Sequence, residues 1–523
     1  MRGLRTVLFE KEDFAYGTTS RSSRLIHGGL RYLGMYDFGL VREGLKEREV
    51  LLNIAPHLVK PLKFLIPLYR QGLLERMKLK LGMILYDLLS YDKSLPSHQY
   101  IDRKRTVEME PALEKSSLQG AFVYYDCQIA LTERLCMENV ISAQNHGAIL
   151  LNHANVQNFG TQESLRTITV EDTLTNEITI FRSKVIVNLT GPWLDDVVRA
   201  VRKNRNALSR TTKGIHIVTS KFTENAIAIF TSDHRLFFVI PWLGFSLIGS
   251  TDTDYDADID AVKADRVDIE YLEKEMQKSF PDLSCDQIIY TIAGARSLLR
   301  VEGVRESAVT RSHVIYDHEP EGQEGLISVV GGKLTAYRSI AEDTVNKVCG
   351  KLNVSIKCTT ACEKLPGADP VILEKVHENI RNIATENGIT EETLNHLISL
   401  YGARYHEVLD YVSRDSSLRE PICVQSPDIG AEVVHAIEHE AALTLADFML
   451  RRSLIAYRRC EGLDCCDKAA KSMARVFGWS DEETLSQVES YRKQIAARHA
   501  YERDKRAASE AFKTGDACSL FHD

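Results

Sequence analysis

A short stretch near the start of the chain, Gly17–Leu33, concentrates residues that suit a phosphate-bearing ligand. Gly28 and Gly29 carry no Cβ and therefore allow a flat ligand to approach the backbone closely. Hydroxyls suited to phosphate and polyol oxygens come from Thr18, Thr19, Ser20, Ser22 and Ser23. Cationic side chains that can neutralise an anion are Arg21, Arg24 and Arg31. The stretch predicts an anion-binding loop.

The segment just before this loop, Val7–Phe9, has the pattern of a buried strand and is followed by Glu10. In a dinucleotide-binding fold, an acid at the end of such a strand accepts a hydrogen bond from a ribose hydroxyl. The glycine-rich G-x-G-x-x-G turn that precedes this strand in such folds does not occur between Met1 and Val7. We therefore expect a dinucleotide fold that lacks its first strand and its pyrophosphate turn.

Farther along the chain, apolar strand patterns repeatedly lead into glycine turns and helices. Val185–Leu189 precedes Gly191, and Leu326–Val330 precedes Gly331 and Gly332. This alternation predicts an α/β fold with a Rossmann-like parallel sheet. The predicted regions are an oxidoreductase domain at 1–354, containing an antiparallel substrate-capping sheet at about 211–310, and a C-terminal α-helical domain at 358–523.

The turn Gly331-Gly332-Lys333 lies directly before a predicted helix. A helix N-terminus carries about half a positive charge, which would stabilise the negative charge of a reduced ring system. The same residues also fit an ordinary strand-to-helix turn. Spacing alone leaves both interpretations open.

Composition narrows the class of protein. The 523 residues are 44% hydrophobic and 26% charged with a net charge of −8, which argues against nucleic acid as a partner.

The 11 cysteines contain no CxxC pair. The alternating aspartates at 252–260 lack the glycine and glutamate of a calcium loop, and the HxxEH pattern at 435–439 stands without other protease features. No metal site is predicted.

A predicted helix over 73–88 is both amphipathic and basic. Its apolar residues are Leu73, Leu74, Met77, Leu81, Ile84, Leu85 and Leu88, with Arg70, Arg76, Lys78 and Lys80 nearby. A helix of this kind can lie on an anionic lipid surface, or it can pack its apolar face against the core. No apolar run is long enough to span a bilayer, so any membrane contact is expected to be peripheral.

These motifs together resemble the FAD-dependent, quinone-linked glycerol-3-phosphate dehydrogenases. The segments that carry the resemblance are GTTSRSSRLIHGGLRY at 17–32, APHL at 55–58, NLTGPW at 188–193, GSTD at 249–252, VGGKLTAYR at 330–338 and LADFMLRR at 445–452. The resemblance implies oxidation of sn-glycerol 3-phosphate to dihydroxyacetone phosphate. In that reaction hydride passes from C2 of the substrate to FAD, and the electrons then pass to a quinone.

The resemblance also implies roles for individual residues. The substrate-pocket positions are Arg31, Tyr32, His216, Arg296, Arg311 and Lys333. His216 is the preferred base, while Lys333 or an arginine is the alternative group that holds a developing alkoxide. The implied FAD contacts are Glu10, Ser20, Ser23, Gly28, Gly29, Val156, Gly191 and Gly332.

Two alternatives accompany this prediction. One is an oxygen-reducing glycerol-3-phosphate oxidase. The other is a non-catalytic, truncated product that holds little or no FAD, because the pyrophosphate turn is not found in the sequence. The resemblance further implies a peripheral protein on the cytoplasmic side of a bacterial or archaeal inner membrane, or on the mitochondrial inner membrane, and it allows a homodimer.

Overall fold

The computed structural model describes residues 1–70, 72–163, 165–199, 206–231, 235–301 and 312–502. Its strands are β1 Val7–Phe9, β2 Leu25–Ile26, β3 Val59–Leu68, β4 Gln99–Asp102, β5 Gly120–Ile129, β6 Ile149–Leu151, β7 Ala154–Gln162, β8 Leu165–Asp172, β9 Ile178–Ser183, β10 Ile186–Asn188, β11 Ser209–Ser220, β12 Ala226–Phe230, β13 Leu236–Trp242, β14 Phe245–Gly249, β15 Thr253–Asp254, β16 Ile288–Leu299, β17 Val314–Asp317 and β18 Leu326–Val330.

The helices are α1 Phe38–Ile54, α2 Leu73–Leu89, α3 Arg103–Met109, α4 Thr132–Asn145, α5 Leu194–Val198, α6 Arg266–Met276, α7 Tyr337–Leu352, α8 Pro370–Asn387, α9 Glu391–Tyr401, α10 Tyr405–Arg414, α11 Gly430–Glu440, α12 Leu445–Asp447, α13 Cys466–Phe477 and α14 Asp481–Ala497. Within the described ranges, no helix is long and apolar enough to cross a membrane.

The predicted parallel strands occur as two separate pairs. β1 runs parallel to β6, and β10 runs parallel to β18, which also pairs with antiparallel β17. A three-stranded antiparallel meander, β7–β8–β9, follows β6 in the chain. These elements confirm the α/β class that the sequence predicts.

A large, mostly antiparallel sheet forms the other half of the fold. In the described residues its order is β15-β11-β14-β13-β12-β3-β5-β2, with β16 beside β11 and β4 beside β5. The sheet therefore extends well beyond the predicted segment at about 211–310, because strands from residues 25–129 join it. The joining contact is a parallel pairing of β12 with β3, in which Ala226 lies opposite Phe64.

The C-terminal helices share a hydrophobic core with this sheet rather than standing apart from it. Residues of α8–α10, including Val376, Leu397 and Val408, share one hydrophobic core with Phe64 of β3 and Leu45 of α1. Burial of such side chains contributes about 1.5–3 kcal/mol each. The helical region is therefore held to the oxidoreductase region by a common apolar core.

Buried ion pairs add specific links between these regions. Arg24 and Glu133, both fully buried, form a two-pronged pair with N–O distances of 2.6 and 2.9 Å. The Tyr457 hydroxyl donates to the same Glu133 carboxylate at 2.8 Å. Farther along α4, Arg134 forms a second fully buried pair with Glu440 of α11, at 2.6 Å.

We predict that Glu133→Gln lowers the free energy of unfolding by about 3–5 kcal/mol, because it leaves the buried Arg24 guanidinium without a carboxylate. The matched control is Asp92→Asn, which removes the carboxylate of the partly exposed Arg42–Asp92 pair and costs less than about 1 kcal/mol. Urea unfolding followed by tryptophan fluorescence measures both. Equal, small effects for the two variants would contradict a structural role for the Arg24–Glu133 pair.

Candidate active site

The loop at 17–33 folds as a series of tight turns beside the large sheet. Thr18–Arg21 form a short helical turn, β2 then pairs antiparallel with β5, and a second helical turn begins at Leu30. Gly29 has a φ of +82°, a backbone conformation that glycine adopts without strain. This path places Ser23 at one end of β2 and the Gly28-Gly29 pair at the other.

The two glycines face protein atoms on the side where a Cβ would stand. A Cβ at Gly28 would lie 2.6 Å from both Leu45 and the Tyr86 hydroxyl, and one at Gly29 would lie 2.5 Å from the Tyr32 ring. Glycine is thus required at both positions for the chain to pack on itself. The predicted contact of these glycines with FAD would use their remaining backbone atoms.

A cationic cluster surrounds this Gly-Gly turn. The Lys333 ammonium lies 4.9 Å from the centre of the Tyr32 ring, and the Arg31 guanidinium lies 5.1 Å from the same centre. Lys333 donates to the carbonyl oxygens of Leu40 at 2.9 Å and of Gly28 at 3.5 Å. Arg31 and Tyr32 therefore lie beside Lys333, a third predicted substrate residue that comes about 300 positions later in the sequence.

Two features of the cluster favour an anionic ligand. Arg31 Nη2 is buried and has no hydrogen-bond partner among the described residues. Burial lowers the pKa of Lys333 to about 8, since a low-dielectric site disfavours the ammonium form. A bound dianion would pair with both groups and offset the cost of burying them.

His27 belongs to the same cluster but was not among the predicted site residues. Burial, together with the nearby charges of Lys333 and Arg31, lowers its pKa to about 4, so it is neutral at physiological pH. Its ring meets Phe238 edge-on, with centroids 6.0 Å apart. Its position directly before Gly28 was the only sequence signal available for it.

His216 lies in the middle of β11 and is fully buried. Its Nε2 is 2.8 Å from Ser23 Oγ, while Nδ1 has no partner among the described residues. Burial and the positive charge of Arg296 lower the pKa of His216 to about 3, so the imidazole is neutral at physiological pH. The structure thus brings together two residues, Ser23 and His216, that are 193 positions apart.

Arg296 extends from β16 and is fixed by the segment after β14. It donates to the Ser250 hydroxyl at 2.7 Å, to the Thr251 carbonyl at 2.9 Å and to Asp252 at 3.1 Å. A Cβ at Gly214 would lie only 1.9 Å from Arg296 Nη2, so glycine is needed there to seat the guanidinium. Ser250 and Asp252 are positioning residues that sequence reasoning did not assign.

The remaining predicted cofactor contacts lie around the parallel strands. Glu10 follows β1, and its backbone N–H bonds to Leu151 of β6, while Val156 lies on neighbouring β7. Burial raises the pKa of Glu10. The Ser20 hydroxyl donates to the Ala15 carbonyl, so it is already engaged within the protein.

In the parallel pair β10–β18, each strand is followed by a glycine turn. Gly191 follows β10 with a φ of +57°, and no heavy atom lies within 4 Å of the place where its Cβ would stand. Gly332 follows β18 with a φ of +104°, and a Cβ there would meet Ile340 at 2.5 Å. Of the two, Gly191 has open space for a ligand. The remaining predicted site residue, Arg311, lies outside the described residues.

The open turn at Gly191 leaves space that fits a cofactor such as FAD. The open turn at Gly191, the unpartnered Arg31 Nη2 and the unpartnered His216 Nδ1 are the groups that a bound cofactor and substrate would engage. The glycine turn at Gly331–Gly332 and the helical segment that begins at Leu334 place a partial positive charge in the same region. The roles assigned to single residues stay predictions.

Comparison with known proteins identifies the family. Residues 1–338 match the family described as FAD dependent oxidoreductase, and residues 358–484 match the C-terminal domain of alpha-glycerophosphate oxidase. A glycerol-3-phosphate dehydrogenase of Synechocystis sp. is 39% identical over 512 residues, which cover 94% of this chain and 92% of the relative. An aerobic glycerol-3-phosphate dehydrogenase of Staphylococcus saprophyticus is 31% identical, with coverages of 94% and 90%.

Solved structures agree with this assignment. The glycerol-3-phosphate dehydrogenase of Bacillus halodurans, crystallised with FAD, superposes with a TM-score of 0.78 at 27% identity, covering 96% of this chain and 91% of that one. A glycine oxidase of Geobacillus kaustophilus, at 17% identity and a TM-score of 0.50 over 70% of this chain and 92% of that one, shares the fold alone. The predicted fold class and the predicted cofactor are confirmed. The chain belongs to the FAD-dependent glycerol-3-phosphate dehydrogenase family.

Proposed function

We propose that this protein oxidises sn-glycerol 3-phosphate to dihydroxyacetone phosphate and passes the electrons to a membrane quinone. The proposal rests on two features of the candidate site: a cluster of cations and a neutral histidine. Arg31 and Lys333 form a half-buried cationic cluster, in which Arg31 Nη2 has no hydrogen-bond partner among the described residues. His216 provides a neutral, buried imidazole close to Ser23. The names of the relatives support the same substrate.

In this proposal, Arg31 and Lys333 bind the substrate phosphate. A phosphate dianion has several acceptor oxygens, and the forked guanidinium of Arg31 matches two of them. Lys333 adds a point charge held in place by the carbonyls of Leu40 and Gly28. Because neither cation is neutralised by a direct carboxylate contact in the described residues, their charge is available to the ligand.

His216 then takes the proton of the substrate C2 hydroxyl. When bound, FAD supplies the acceptor for the hydride that leaves C2. As the hydroxyl loses its proton, negative charge develops on its oxygen, and Arg296 is the nearby cation whose position is fixed by Ser250 and Asp252. Ser23 orients the imidazole through its 2.8 Å contact with Nε2.

Helix α2 supports the membrane part of the proposal. Leu74, Met77, Leu81 and Leu88 are 60–66% exposed and lie on one face, whereas Met83 and Tyr86 on the opposite face are buried. The sequence left open whether the apolar face packs inward, and in the structure most of it faces outward. With Arg70, Arg76, Lys78 and Lys80 beside it, this face suits an anionic lipid surface, from which a quinone is within reach.

We predict that His216→Asn lowers kcat by about 10²–10⁴-fold with sn-glycerol 3-phosphate, because the proton acceptor is lost while the cationic cluster remains. Turnover is measured with a soluble quinone analogue, and peroxide is measured in parallel. His146→Asn, at a half-exposed histidine on the C-terminal side of α4, is the control and should leave kcat unchanged. A normal kcat in His216→Asn excludes this histidine as the base. Peroxide release as fast as quinone reduction favours an oxidase.

We predict that kcat/KM depends on pH through the ionisation of Lys333. Its pKa of about 8 means that the ammonium is lost as the pH rises through this value, so kcat/KM should fall severalfold between about pH 7 and about pH 9. Lys333→Arg should remove this fall, because a guanidinium remains charged throughout the range. The same alkaline fall in the arginine variant would show that a different group titrates.

For α2, we predict that reversing three charges, Arg76, Lys78 and Lys80 to Glu, weakens binding to vesicles that contain anionic lipid. The control reverses three exposed charges elsewhere, Lys471, Arg475 and Lys493. Cosedimentation with the vesicles measures binding. Equal binding by both variants would exclude α2 as the membrane-facing element.

A further inference from the structure

A cluster of thiols lies in the C-terminal region, in the loops around α11 and α13. Cys423 Sγ is 3.7 Å from Cys460 Sγ and 3.9 Å from Asp464 Oδ1. The three ligand atoms all lie within 4.8 Å of one another. The neighbouring Cys465 thiol donates to the Gly462 carbonyl at 3.5 Å. Three potential metal ligands therefore converge from two separate loops.

We propose that these residues bind a zinc ion. Cys423, Cys460 and Asp464 supply three ligands, and a water molecule would complete the coordination on the side of the exposed Asp464. This site goes beyond the family assignment and the proposed reaction. It also differs from the sequence analysis, which predicts no metal site.

The distances within the cluster fit tetrahedral coordination. Zinc–thiolate bonds of about 2.3 Å at tetrahedral angles place two sulfur atoms about 3.8 Å apart. The observed Cys423–Cys460 separation of 3.7 Å matches this value. At this separation, both sulfurs can bind one metal ion without moving apart or together.

A backbone hydrogen bond holds one of the two sulfurs in position. The Gln425 N–H donates to Cys423 Sγ at 3.3 Å. In the second loop, Gly462 lies between Cys460 and Asp464 and adopts a φ of +68°, a conformation that glycine takes without strain. Hydrogen bonds to a ligand atom orient it for metal binding.

The burial pattern fits a structural ion that enters from one side. Cys423 is buried and Cys460 is half-buried, while Asp464 is exposed and opens the cluster to solvent. A zinc ion here would tie the loop that leads into α11 to the turn before α13. Soft thiolate ligands select zinc over magnesium or calcium.

A second cluster of possible metal ligands lies in the same region, and its carboxylates are contacted by protein groups. His396 contacts both Asp428 and Glu432, and all three are buried. Asp428 accepts the Leu454 N–H, and Glu432 accepts the Ile429 N–H. Protein donors therefore already contact both carboxylates, in contrast to the cysteine cluster.

The test uses the full chain with FAD bound, expressed with added zinc and purified in the presence of reductant. Elemental analysis of the wild type should find one zinc per chain, and cobalt substitution should give the intense visible bands of a tetrahedral thiolate site. Cys423→Ser and Cys460→Ser should lose both signals. The matched control is Cys466→Ser, whose thiol points to the Leu463 carbonyl rather than to the cluster.

Asp464→Ala is a second test variant. Because this side chain is exposed, its removal should not disturb folding. It should lower zinc affinity by about tenfold or more, measured by chelator competition, while the flavin spectrum stays normal. Wild-type protein without zinc, unchanged zinc content in the Cys423 and Cys460 variants, or a Cys423–Cys460 disulfide in the zinc-replete protein would overturn the proposal.

Discussion

The arrangement of the site depends on a charge that is buried and fully matched. Arg24 sits within the anion-binding loop, and its guanidinium is held by both oxygens of Glu133, with the rings of Trp242 and Tyr457 within about 5 Å. Three parts of the molecule therefore meet at one point: the loop, the start of α4 and the C-terminal region. Because a buried charge without its partner is costly, the loop is fixed in the one position where this pair can form.

The difference between Arg24 and Arg31 shows how the loop divides structural and binding roles. Both terminal nitrogens of Arg24 donate to protein acceptors, and Glu133 neutralises its charge, although its residue type alone suggested an external anion as its partner. Arg31, seven residues later, keeps a buried nitrogen without a partner in the described residues. The two buried histidines differ in the sign of the charges around them: His396 lies between two carboxylates, whereas the charged groups near His216 are arginines.

Much of the site could be predicted from local sequence, since glycine turns and their flanking strands are read within a few residues. Gly191 and Gly332 fall at strand ends as expected. Long-range pairing could not be predicted in the same way. The partner of Arg24 is 109 residues away, and the β12–β3 pairing joins segments about 160 residues apart. Cys423 and Cys460 show no metal-binding spacing, because two loops rather than one motif bring them together.

The central claim is that this site oxidises sn-glycerol 3-phosphate with its own flavin. The most direct measurement is to mix the FAD-loaded protein with the substrate in the absence of oxygen and any other acceptor, and to record the flavin spectrum. We expect the oxidised flavin band to bleach, with one dihydroxyacetone phosphate formed per flavin, while glycerol with inorganic phosphate has no effect. A flavin that stays oxidised under these conditions would contradict the account.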